Sequence, residues 1–392
     1  MADLSSRGSF FSVVQLFWFN GFAMGAYAGS LATIQARAQL APWQLSTMFV
    51  VTGIGAIAAM QTGGRLADRL GARPVALAAV VPQLLAPLAV AAAGGFEWLL
   101  PACLLFGLGN GGLDISMNAL AIHVEKARPR PVMSFFHGMW SVGNLMGAGL
   151  TVATAFLTGW DPVATMTFVL VAAGAAGIAV LASALALTPQ TPPVVHTTET
   201  GQKAPLPKMA YLLGLMAIAF GLGEGTATDW SGIHVKAVTG VDSSTAALGV
   251  TAMTACMVVI RILGDRLVAR FGRRAVVRAG GVVAVAGYLT TALATPLPLV
   301  LVGWGLVGAG MAVVAPQVYS VAGHLAGGRG LAVVVTFGYA TFLAAPAAVG
   351  AVVTAVGVQH TMFLPACLLV GLVVLARVLP RPEDDPAGRL AR

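Results

Sequence analysis

The chain has 392 residues, 58% of them hydrophobic and only 9% charged, with 48 glycines, 21 prolines and a formal net charge of +8. Its mean hydropathy is +0.86. A soluble domain carries about 25% charged residues, so there are too few charges here to coat a water-soluble surface. High hydropathy excludes a disordered chain as well, which leaves an integral membrane protein with room for about a dozen helices of roughly 20 apolar residues.

Apolar runs bounded by charges, Pro and Gly predict twelve spans, near 10–34, 44–66, 74–95, 98–123, 132–158, 163–187, 208–234, 244–266, 275–296, 297–322, 331–355 and 359–379. The runs are continuous rather than short and alternating, which predicts helices and not a transmembrane barrel. Met1–Ser9 is short and polar, and no small-residue cleavage site follows a short apolar core, so no cleavable signal peptide is expected. Cys103, Cys256 and Cys367 lie in apolar runs without paired spacing and predict neither a metal site nor a disulfide framework.

In chain order, span one carries Asn20 and Tyr27, seven apart and so on one helix face. Span two runs into Gly63-Gly64-Arg65-Leu66-Ala67-Asp68-Arg69-Leu70-Gly71-Ala72-Arg73. Span four places Asn110, Asp114 and Asn118 at i, i+4, i+8, again one face. Span five repeats the arrangement with His137, Ser141 and Asn144, and Trp140 beside them. Thr188 to Lys208 is polar and rich in Pro and Thr, and is read as a linker between six spans and six. Span seven holds Glu224 near its middle and Asp229 toward its outer end, with Trp230 next in sequence. Arg261 and Asp265 stand four apart at the inner end of span eight, either a helix ion pair or an inner gate. Pro316 and Gln317 fall in span ten, Tyr339 and Pro346 in span eleven, and the two prolines are expected to kink their helices. His123, His196, His234, His324 and His360 lie in loops or at span ends and carry no expected role.

The halves repeat. Gly264-Asp265-Arg266-Leu267-Val268-Ala269-Arg270-Phe271-Gly272-Arg273-Arg274 follows span eight as the Gly63 segment follows span two, Gly71 and Gly272 aligning at an offset of 201. A period near 200 is too long for a solenoid and fits two six-helix halves of a transporter. Position 114 corresponds to Ala312, 118 to Pro316 and 137 to Phe337, so most of the polar chemistry sits in the first half.

Basic residues set orientation. With the N-terminus cytoplasmic, nineteen Lys and Arg fall inside, Arg37 and Lys236 outside, and Arg261 near the inner end of span eight. The net charge is thus a topology signal facing anionic lipid headgroups, and nucleic acid is not needed to explain it. Both termini are expected on the cytoplasmic side.

The segment Gly64–Arg73 resembles the loop 2–3 signature of the major facilitator superfamily, G-x-L-a-D-r-x-G-r-r, in sequence and in position between spans two and three. The resemblance covers the whole chain and implies two pseudo-symmetric six-helix bundles, 10–187 and 208–380, joined by a cytoplasmic linker 188–207 and followed by a tail 381–392. It implies a gating role for Gly64, Asp68, Arg69, Gly71 and Arg73; the second copy has Ala269 where the Asp would stand, so the salt bridge of that loop falls to Asp68. Gly107-Leu108-Gly109 with Asp114 and Asn118, the span-five segment Ser134–Asn144, and Gly223-Glu224-Gly225 with Asp229-Trp230 are similar to the fucose-permease branch. That likeness implies proton symport of a sugar or similar polyhydroxy solute.

A charge at mid-membrane costs about 2.5–3.5 kcal/mol on insertion scales. Asp114, Glu224 and Asp229 are the acids placed clear of span ends, and protonation would remove that cost. Asp114, assisted by Glu224, is therefore the expected proton-coupling group. Asn20, Tyr27, Asn110, Asn118, His137, Trp140, Ser141, Asn144, Asp229, Gln317 and Tyr339 complete the expected substrate site; interhelical hydrogen bonds are the alternative role for these polar residues. Without a Walker-type loop, ATP is not the expected energy source, and no cofactor beyond the proton gradient is expected, sodium remaining the alternative ion. No nucleophile–base pair or metal-ligand spacing suggests an enzyme. The expectation is a monomeric multi-pass transporter of the bacterial cytoplasmic membrane, moving a small neutral or cationic polar solute by alternating access. Proton antiport of a drug or basic antibiotic would use the same features.

Overall fold

The structure, a computed structural model, describes residues 7–126, 133–185 and 208–379. The expected linker 188–207 and tail 381–392 lie outside them. Among the described residues every regular element is helical, and none is a strand. With no water to satisfy backbone groups in a hydrocarbon layer, helices close their own hydrogen bonds within each segment. Nine stretches among these residues have the length and hydropathy to cross a membrane, and the bent pair 344–361 and 363–378 adds a tenth if counted as one span.

The chain divides into two compact units, residues 1–199 with 242–247 and residues 200–241 with 248–392. In the first, α1 (Arg7–Arg37) packs on α5 (Met133–Thr158) and α6 (Pro162–Leu185), while α4 (Phe96–Lys126) packs on α2 (Pro42–Leu70) and α3 (Ala72–Ala92), and α3 on α6. In the second, α7 (Lys208–Thr239) packs on α11 (Val314–Thr361) and α12 (Phe363–Leu375), while α10 (Leu297–Met311) packs on α8 (Leu248–Phe271) and α9 (Arg273–Leu293), and α9 on α12. Each pairing in one unit has its counterpart in the other, so the 200-residue sequence repeat is a repeat of packing.

Local chemistry explains the helix ends. Pro42 occupies the first position of α2, where its missing N–H costs nothing, and the Gln44 side chain accepts from the Ala41 N–H at 2.9 Å. Asp161 Oδ1 accepts from the N–H groups of Val163 and Ala164 at 2.9 and 3.1 Å and starts α6. Between α2 and α3, and again between α8 and α9, the chain turns at Gly71 (φ 89°) and Gly272 (φ 79°), a region that only glycine enters without strain.

The two repeats also cap alike. Arg73 donates through Nη2 to the Leu185 carbonyl at the end of α6, at 2.8 Å. Arg274, its partner at offset 201, donates through Nε to the Leu379 carbonyl past the end of α12, also at 2.8 Å. A cation on the last carbonyls satisfies orphan acceptors and complements the helix dipole.

One boundary differs from expectation. Residues 323–330, expected to separate spans ten and eleven, are helical, and the break falls at 312–313. Pro316 supplies the reason: its ring opposes the carbonyl four residues back, at Ala312, so α10 stops at Met311 and α11 restarts at Val314. The stretch 323–330 contains glycines but no proline, and a glycine weakens a helix by about 1 kcal/mol without ending it. Pro365 repeats the effect at Thr361, where Ala344–Thr361 and Phe363–Val378 are bent by 78°. Pro346, expected to act likewise, lies inside α11 without interrupting it.

Candidate functional site

In the first unit, glycines decide how closely the helices approach. A Cβ on Gly21 would lie 2.0 Å from the Trp140 carbonyl oxygen, and one on Gly25 would lie 1.9 Å from that of Asn144. From the other side, Cβ atoms on Gly143 and Gly147 would meet the Trp18 and Phe22 carbonyls at 2.0 and 2.2 Å. Backbones of α1 and α5 therefore touch, as small-residue seams allow in membranes. That contact brings Asn20 to Trp140, whose Nε1 donates to Asn20 Oδ1 at 2.7 Å. Asn20 is buried, and its Nδ2 has no partner among the described residues.

Helix α4 is held on two sides in the same way. Gly107 and Gly111 sit against the backbone of α2 at Thr52 and Ala56, and Gly109 sits against Gln83 of α3. At 100° per residue, Asn118 lies in line with the α2 seam, Asp114 beside it and Asn110 further round on the same side, all turned away from α3. Asp114 and Asn118 remain half-exposed. Asn118 Nδ2 donates to the Asp114 carboxylate at 3.2 Å and to the Asp114 carbonyl at 2.8 Å. Asp114 lies about 18 Å along the helix from Lys126, well inside the span.

The other first-unit candidates separate from this pair. Tyr27 is buried, its hydroxyl 3.6 Å from Cys103 Sγ and its ring stacked on Phe106. Ser141 is buried and donates to the His137 carbonyl. Asn144 is buried at the α1 seam. His137 is exposed, its ring edge-on to Phe17 at 5.3 Å. In loop 2–3, Arg69 is exposed, Gly64 lies near Ile115, and the Asp68 side chain lies outside the described residues.

In the second unit, Glu224 faces a cation. Arg261 Nη2 lies 3.3 Å from Glu224 Oε1, joining α8 to α7, with each side chain 23% exposed. Arg261 sits about 15 Å from the Phe271 end of α8, deeper than the inner-end position expected from the sequence. Its other expected partner, Asp265, has a side chain outside the described residues, as has Tyr339. Asp229, half-exposed, meets no polar partner among the described residues. Gln317 is buried near the start of α11.

Sequence reasoning missed a cluster that holds α7. Tyr288 of α9, fully buried, donates its hydroxyl to the carbonyl of Gly223, the residue before Glu224. Trp304 of α10 meets Tyr288 edge-on at 5.8 Å and His234 of α7 edge-on at 5.4 Å. His234 is fully buried rather than at a bland span end, and its Nε2–H donates to the Thr291 carbonyl at 3.1 Å. Apart from the aromatic–His composition of these helices, nothing in spacing announces the cluster, because its members come from three helices.

A twice-repeated helical membrane fold with carboxylates inside apolar helices is the architecture of a membrane transporter. The sequence profile of the Major Facilitator Superfamily matches residues 13–236 and 213–392, and the chain belongs to that family. It is 36% identical over 369 residues to an uncharacterized transporter, y4wD, of Sinorhizobium fredii, covering 93% of this chain and 96% of that one. Its fold is similar to that of a mutant of the nucleoside transporter NupG, with a TM-score of 0.72 at 13% identity over 93% of this chain and 97% of that one. It is also similar to the outward conformation of the superfamily transporter FucP, with a TM-score of 0.62 at 16% identity over 96% and 100% of the two chains. The protein is a multi-pass membrane transporter and not an enzyme.

Proposed function

We propose that this transporter couples the proton gradient to movement of a small polar, neutral or cationic solute of sugar-like or nucleoside-like character across the bacterial cytoplasmic membrane. One observation carries the reading: Asp114 is a half-exposed carboxylate inside an apolar span, with an amide donor from Asn118 and no cation within ion-pair distance among the described residues. A carboxylate so placed is costly when charged and relieved by a proton, which suits a group that loads and unloads protons. Glu224, already paired with Arg261, serves better as a switchable ion pair than as a free carrier. NupG transports nucleosides, which are sugars carrying a base, and this supports the polyhydroxy class without fixing the member.

Asn20, Trp140 and Asn118 offer hydrogen-bonding groups and an aromatic face for such a solute. Alternating access, with two homologous bundles rocking, would expose them to each side in turn. The alternative, export of a basic antibiotic by proton antiport, draws support from Asp229, a second acid without a polar partner among the described residues.

A thermal-shift screen of nucleosides, sugars, amino sugars and antibiotics on the purified protein, followed by flux of each hit into liposomes under an imposed pH gradient, tests the proposal. Accumulation driven by the gradient supports symport, and proton-driven expulsion supports the antiport reading. Flux indifferent to pH at every hit would sink proton coupling.

A further inference from the structure

The basic end of the second unit carries a groove that the transport reading does not use. It runs beside the first turns of α9 with a volume of about 590 Å³. Arg274 and Arg278 line it, and Ala275, Ala279, Val282 and Val283 form its floor. The spacing explains the shape: positions 275, 278, 279 and 282 share one face of α9, where the small Ala275 and Ala279 leave a hollow between Val282 and Phe271, the last residue of α8. Both are 53% exposed, and Val282 lies on a helix apolar and long enough to cross a membrane.

The cations are arranged and available. Arg274 is held by its Nε hydrogen bond to the Leu379 carbonyl. Arg278 follows one turn later and is exposed. Arg270 lies over the Phe271 ring at 5.4 Å, at the rim. Among the described residues no acid pairs with Arg274 or Arg278, the ion pair there being Glu224 with Arg261.

The internal repeat supplies a control. At offset 201, Arg270 and Arg274 correspond to Arg69 and Arg73, but Arg273 and Arg278 correspond to Ala72 and Leu77. Capping of the neighbouring helix end needs only Arg73 or Arg274, and both repeats have it. Of the additional cations of the second repeat, Arg278 lines the groove.

We propose that this groove binds an anionic diacyl phospholipid, its phosphate held by Arg274 and Arg278 and one acyl chain lying along Ala275, Ala279 and Val282. A free phosphate would leave the apolar floor uncovered. So would the acidic segment Glu383-Asp384-Asp385, which begins four residues after Leu379. An anionic lipid satisfies the arginines and the floor together, and arginine is well suited to phosphate through its planar fork of donors.

Native mass spectrometry of the purified full-length protein, titrated with dioleoylphosphatidylglycerol or dioleoylphosphatidylcholine, tests the site. The wild type should retain the glycerol lipid in preference to the choline lipid. Arg278→Leu, the residue of the first repeat, should cut that preference about fivefold, near the worth of one surface cation, while Arg278→Lys should retain most of it. Val282→Trp, which fills the groove and leaves every charge in place, should also lose the lipid and covers the case in which Arg278→Leu fails to fold. Equal preference in wild type and Arg278→Leu would overturn the proposal, as would displacement of the lipid by glycerol 3-phosphate at equal concentration. Tighter lipid binding in the triple variant Glu383→Gln, Asp384→Asn, Asp385→Asn would assign the groove to the acidic segment and overturn it too.

Discussion

Arg261 of α8 reaches Glu224 of α7 at 3.3 Å, and Tyr288 of α9 donates to the carbonyl of the adjoining Gly223. An acid within an apolar helix is thereby paired with a cation from its neighbour, on a backbone anchored from a third helix. Partial burial strengthens such a pair relative to a surface one, and it makes the loss of either member costly, because the survivor stays charged in apolar surroundings.

The first prediction follows from that asymmetry. Glu224→Gln should destabilise the purified protein by about 1–3 kcal/mol, the scale of one uncompensated polar group. The double variant Glu224→Gln, Arg261→Gln should recover part of the loss. Thermal unfolding of the two single variants and the double variant gives the coupling. Strictly additive losses would show that the two side chains do not interact.

Asp114 is the proposed proton group, so Asp114→Asn should keep the amide contact with Asn118 and remove the titration. Accumulation of a transported solute against its gradient should fall at least tenfold, while exchange of solute across the membrane persists. Both rates can be read in the same liposomes. Undiminished pH-driven accumulation would remove Asp114 from the coupling step.

The α1–α5 seam permits a sharper structural test. Gly25→Ala on α1 places a methyl 1.9 Å from the Asn144 carbonyl oxygen, whereas Gly149 of α5 has nothing within 4 Å of a Cβ. Overpacking costs typically about 1–3 kcal/mol, so Gly25→Ala should lower the unfolding temperature clearly and Gly149→Ala should leave it nearly unchanged. The same Gly25 substitution should loosen the Trp140–Asn20 hydrogen bond, measurable as a change in tryptophan emission.

Asp242, outside the apolar spans, caps the short helical turn Thr245–Ala247. Its Oδ1 accepts from the N–H groups of Ser244 and Thr245 at 2.9 and 3.0 Å, and the Thr245 hydroxyl donates to Oδ2. Burial raises its pKa, but the Thr245 hydroxyl and the backbone donors outweigh it, and the net direction is downward from the ordinary carboxylate value. A depressed pKa contributes stability that is full above the unfolded value, about 3.9, and is lost as pH falls through the folded one. Asp242→Ala should therefore cost about 1 kcal/mol at neutral pH, with the difference from wild type shrinking below pH 4. A gap that stays constant down to pH 3 would contradict this assignment.

Much of the fold was legible because its signals are local. Helical spans, the loop 2–3 motif and the repeat at offset 201 all follow from hydropathy and glycine–arginine spacing along one stretch of chain. The polar stripe Asn110, Asp114, Asn118 was legible too, since one helix period defines a face. Less legible were partners on different helices. Sequence offers Arg261 only the neighbour on its own helix, Asp265 at i+4; its contact with Glu224 requires two helices to cross. Tyr288, Trp304 and His234 escaped notice for the same reason. The expected break at 323–330 failed on local chemistry, since proline at 316 outweighs several glycines as a helix stop.

Composition alone determined that this chain lives in a membrane and spans it many times, because lipid excludes charge and unpaired backbone. Its motif and repeat determined that it is built from two like halves. Among the described residues, tertiary structure decided that Glu224 is paired with a cation and Asp114 is not. Pairing depends on distances of a few ångströms between helices, and those distances are set by where glycines let backbones touch.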